Sequence, residues 1–70
     1  MQHRTIFGKT ITVKIPLFAG RGVSITLKAR IERHRRKGFA ILSHGSIKRT
    51  VPIYVAASCV HKGRPYVWHP

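Results

Sequence analysis

From Val23 to Glu32 the chain alternates without a break. Val23, Ile25, Leu27, Ala29 and Ile31 are apolar, and Ser24, Thr26, Lys28, Arg30 and Glu32 are polar. Successive side chains of a β-strand point to opposite faces, so this period gathers the apolar residues on one face and the polar ones on the other. Wound as a helix, the same apolar residues would scatter round the cylinder and leave no stripe to bury. An earlier segment, Lys9 to Ile15, has the same period, with Ile11, Val13 and Ile15 facing in and Thr10, Thr12 and Lys14 facing out. Pro16, Gly20 and Gly22 then interrupt the pattern, and Pro16 to Gly22 reads as a loop joining two antiparallel strands.

A third strand is predicted over Gly38 to Ser43, after the charged connection Arg33 to Gly38, and it ends at the turn residues His44-Gly45-Ser46. A fourth runs from Ile47 to Val55, where Pro52 confines it to a sheet edge or marks a bulge. Val55 to Val60 fits either a continued strand or one short helix near residues 55–60. Lys62-Gly63 reads as a hairpin turn into Tyr66-Val67-Trp68. About four to six short strands with turns every ~10 residues define a mainly all-β chain. Residues 1–70 are read as one small basic domain, a five-stranded antiparallel barrel or sheet of OB, SH3-like or Sm-like type. In so small a chain Phe7, Phe18, Phe39 and Tyr54 are assigned to the core. Phe18 is the one whose exposure its glycine-rich loop leaves open.

Charge changes the picture most. Fourteen Lys and Arg stand against a single acid, Glu32, for a formal net charge of +13. Internal ion pairs can neutralise almost none of it, and the mutual repulsion opposes the compact state. A partner that brings negative charge is expected, and a phosphate backbone does so with the entropy of counterion release. The densest run holds Arg30, Arg33, Arg35, Arg36 and Lys37, with His34 among them. Arginine suits phosphate because its planar fork donates at two points and also stacks on bases. Lys14 and Lys28 share the polar strand face with Arg30 and with hydroxyl residues, the usual phosphate and sugar contacts. Lys48, Arg49, Lys62 and Arg64 widen the expected footprint. Tyr66 and Trp68, two residues apart, share one side of a strand. Exposed, they would form a base-stacking platform; buried, they would close the barrel.

Other chemistry finds little material. Glu32 is the sole carboxylate, so there is neither an acid–base pair nor a carboxylate cage for magnesium. Gly20-Arg21-Gly22 lacks the context of a phosphate loop. Cys59, the single cysteine, cannot form a disulfide within the chain. Cys59 and His61 offer two metal ligands, or a dyad with no third orienting group. The remaining histidines, His3, His34, His44 and His69, supply no pair at zinc-finger spacing, so neither metal nor cofactor is expected. No run approaches the ~18 apolar residues of a membrane span, the first residues contain no signal-like apolar run, and a cytoplasmic protein is expected, nucleoid- or ribonucleoprotein-associated where its ligand is. The sequence thus points to a non-enzymatic protein that binds RNA or DNA mainly through phosphates. The alternatives are a basic module or inhibitor docking on an acidic protein, and a ribosomal or other ribonucleoprotein component. An open edge strand invites a homo-oligomer, which the charge opposes.

Overall fold

The computed structural model describes residues 6–17 and 22–68. Five strands and one helix follow each other as β1 (Thr10–Pro16), β2 (Ser24–Arg33), β3 (Phe39–His44), β4 (Ile47–Pro52), α1 (Ile53–Lys62) and β5 (Tyr66–Val67). The strands form a single sheet in the order β4-β3-β2-β1-β5, curled into a half-barrel. The mainly-β sheet with one short helix matches the sequence expectation. The first four strands form an antiparallel meander, whereas β5 joins β1 in parallel, so the sheet is mixed.

Alternation builds the core directly. The register sets Ile11 opposite Ala29 and Ile31 opposite Leu42, and Val51 opposite Ala40. These six, with Val13, are buried on one side of the sheet, and Ile6, Ala56 and Ala57 complete the core. The two alanines are the buried residues of α1, and such small side chains let a helix pack closely on the sheet. The β3–β4 turn has Gly45 at φ +59°, in the first central position, as a type II′ hairpin requires.

The structure departs from the sequence reading in several places. Pro16 belongs to β1, opposite Ser24, rather than to the loop. The Leu17 amide donates to the Val23 carbonyl and the Ile31 amide to the Lys9 carbonyl, so odd-numbered β1 residues bond to β2. Pro16 therefore turns its missing N–H to the other edge, where no β1–β2 bond is lost. Second, β4 stops at Pro52 on the sheet edge, and the chain turns into α1 although Ile53, Val55 and Val60 favour strands; burial of Ala56 and Ala57 against the sheet overrides that weak local preference. Third, Gly63 makes no hairpin. It caps α1 in the left-handed conformation at φ +63°, its amide donating to the Cys59 carbonyl. Fourth, Val23 and Ile25 keep 45% and 49% of their surface exposed, because β3 pairs with β2 only across Arg30–Arg33. Tyr54, assigned to the core, is 67% exposed on α1. The expectation for Phe18 lies outside the described residues, as do those for His3 and His69 and for Gly20 and Arg21.

Candidate nucleic-acid interface

The connection between β2 and β3 carries the charge run on an ordered frame. The Arg36 amide donates to His34 Nδ1 at 2.8 Å, so this nitrogen is unprotonated and accepting. Gly38 turns the chain at φ +90°, and its carbonyl accepts the Ile53 amide at 2.8 Å, which ties the loop to the start of α1. The arginines are held from below by aromatic rings. Arg33 Cζ lies 4.4 Å from the centroid of Phe7, and Arg36 Cζ lies 4.9 Å from that of Phe39. His34 sits tilted beside Phe39, with ring centroids 6.1 Å apart.

This stacking has a chemical consequence. A guanidinium held over a ring uses its face, while its five N–H groups lie in the plane and remain free to donate. Side-chain ordering that a mobile arginine would pay on binding is already partly met. Arg33, His34, Arg36 and Lys37, with Phe7 and Phe39, surround an open cleft of about 270 Å³ whose floor includes Ile53. Arg35 is exposed on the same loop. The partner rings were not singled out as functional from sequence. Phe39 had a signal, since it follows the loop glycine directly; Phe7 is distant along the chain and had none.

The polar strand face forms as expected and extends further. Thr10 is opposite Arg30, Arg30 opposite Ser43, and Ser43 opposite Lys48, so one row of cations and hydroxyls crosses four strands. Beside it Lys28 pairs with Thr12 and Lys14 with Thr26. Lys28 Nζ donates to Thr12 Oγ1 at 2.8 Å, and His44 Nδ1 donates to the Lys28 carbonyl at 2.8 Å. The single acid is used here too, as Glu32 accepts from Lys48 Nζ at 3.3 Å. Lys62 and Arg64 are exposed at the opposite end of α1 from the loop.

Arg49, Tyr66 and Trp68 are arranged differently. Register puts Arg49 opposite Leu42, on the core-facing side and away from the cationic row. Its Nε donates to Tyr66 Oη at 3.1 Å, and its Cζ lies 5.0 Å from the Trp68 ring centroid. Both aromatics are half-buried and packed against the core. Half-buried packing is the arrangement the sequence associates with closing the barrel, and Arg49 contacts both rings.

Cys59 is half-buried, and loss of solvent pushes its thiol above the ordinary value. Among the described residues no group of three or more His, Cys, Asp or Glu could hold a metal ion, and no helix is long and apolar enough to cross a membrane. Comparison with protein-family models, with curated proteins and with solved structures finds no match to this chain.

Proposed function

We propose that this protein is a non-enzymatic nucleic-acid-binding module that grips phosphates through the β2–β3 loop. The observation that carries the reading is the loop cleft, where two ring-stacked guanidiniums and Lys37 converge with no acidic side chain to neutralise them. The only acid of the chain is engaged by Lys48. The row of Lys14, Lys28, Arg30 and Lys48 with its hydroxyls supports a broad contact to backbone and sugar. RNA and DNA both present the chemistry this loop selects. The test is binding of labelled duplex DNA, single-stranded DNA and structured RNA over a salt series. Steep loss of affinity with salt supports the reading, and weak binding blind to all three ligands contradicts it.

A second reading is an interaction module on an acidic protein, alone or within a ribonucleoprotein. The observation favouring it is the exposure of Val23, Ile25 and Ile47 on the core-facing side of the sheet. A stoichiometric acidic partner retained after nuclease treatment would support it over the first.

A further inference from the structure

A second cleft, of about 360 Å³, opens between β1 and the residues that follow α1. We propose that it is a second phosphate site, and that the ligand is a phosphodiester chain spanning both ends of α1. The proposal rests on the nucleic-acid reading above and names what that reading leaves open, namely how many separated phosphates the fold engages.

The donors come from three elements. Lys28 from β2, Thr10 and Thr12 from β1, and Arg64 from the connection to β5 all line the cleft. The Lys28–Thr12 hydrogen bond does two things. It holds the ammonium at the cleft, and because Thr12 Oγ1 accepts there, its own O–H is left to donate to a ligand. The backbone adds to this. Odd-numbered β1 residues bond to β2, so the amides of Thr10 and Thr12 face the opposite edge, where pairing with β5 begins at Val13 and Tyr66 among the described residues. The C-terminal end of a helix normally disfavours anions through its free carbonyls. Here the amides of Gly63 and Arg64 both donate to the Cys59 carbonyl, which lines this cleft through its residue, so one such carbonyl is already engaged. With Glu32 held by Lys48, the counter-ion for Lys28 and Arg64 has to come from outside the chain.

Spacing decides the ligand class. Ile53, the first residue of α1, lines the loop cleft, and Cys59 and Val60 line this one. At ~1.5 Å per residue the two are roughly 10 Å apart along the helix, too far for one phosphate to serve both.

The experiment measures affinity of the full chain for a fluorescein-labelled single-stranded 12-mer (a probe length of about 12 nucleotides, well above the few phosphates in question) across a salt series. Three variants are compared with the wild type: Lys28→Gln/Arg64→Gln, Thr12→Val and Arg33→Gln/Arg36→Gln. The first is expected to lower the slope of log affinity against log salt by ~1.4, two contacts at ~0.7 each. Thr12→Val is expected to weaken binding several-fold at an unchanged slope, since it removes a donor and no charge. Wild-type slope and affinity in Lys28→Gln/Arg64→Gln overturn the second site, and do so while the loop reading stands if Arg33→Gln/Arg36→Gln still weakens binding. Failure of the wild type to bind would instead overturn the nucleic-acid reading itself. Should the double cleft variant not fold by circular dichroism, Thr12→Val decides alone, and wild-type affinity in it overturns the proposal.

Discussion

Arg49 on the edge strand β4 donates from Nε to the hydroxyl of Tyr66 on the opposite edge strand β5, at 3.1 Å. Strands at the two ends of the sheet order thus touch through side chains, although no backbone ladder joins them. The same guanidinium lies over Trp68, the only tryptophan of the chain, so that closure has a built-in reporter.

Tyr66→Phe keeps the ring and removes the acceptor. It is expected to cost about 0.5–1.5 kcal/mol in denaturant unfolding, the usual net value of one hydrogen bond. Arg49→Met also removes the guanidinium from Trp68 and is expected to cost ~0.5–1 kcal/mol more. Tryptophan emission should shift in Arg49→Met and stay near wild type in Tyr66→Phe. Additive costs in a double-mutant cycle would show that the two residues do not interact.

Glu32→Gln should leave stability within ~1 kcal/mol, because its ion pair with Lys48 is exposed at both ends. The same change frees Lys48 on the cationic row and raises the net charge by one, so affinity for a nucleic acid should rise. Filter binding at constant salt checks this, and lower affinity would mean that the carboxylate itself supports the bound state.

Much of this fold is legible in the sequence, for a plain reason. Period-two alternation at Ile11 to Ile15 and Val23 to Ile31 specifies both the strand and its buried face. What alternation cannot encode is where neighbouring elements end. Val23 and Ile25 obey the pattern yet stay exposed, because their burial depends on how far β3 reaches along β2. The helix is legible only as one of two options for residues 55–60, since Val55 and Val60 also suit a strand, and packing of Ala56 and Ala57 settles the matter. Charge located the loop at Arg33 to Lys37. The rings under it were not legible, because Phe7 reaches Arg33 only through tertiary structure. Arg49 shows the converse: charge alone puts it in the footprint, and strand parity sets it on the core-facing side.

Gly63→Ala places a Cβ on a left-handed residue at φ +63°, with open space around it, so the cost is conformational rather than steric. A loss of roughly 1–2 kcal/mol is expected. Thermal unfolding followed at a helix-sensitive wavelength measures it, and no loss would show that α1 ends without that conformation.

The Cys59 thiol should react slowly with iodoacetamide at neutral pH, several-fold slower than a free cysteine, since burial raises it and only the thiolate is nucleophilic. The sign for stability follows. Folding favours the neutral thiol, so its contribution is complete below the ordinary thiol pKa of ~8.5 and is lost as pH rises through the raised value. Native-state alkylation as fast as in denaturant would contradict this.

The most direct measurement is the salt dependence of nucleic-acid binding by the wild type and by Arg33→Gln/Arg36→Gln. The wild type is expected to show a steep slope of log affinity against log salt, and the variant a slope shallower by ~1.8 on duplex DNA, two contacts at ~0.9 each. An unchanged slope and affinity in the variant, with the wild type binding well, would remove the β2–β3 loop as the phosphate-gripping element.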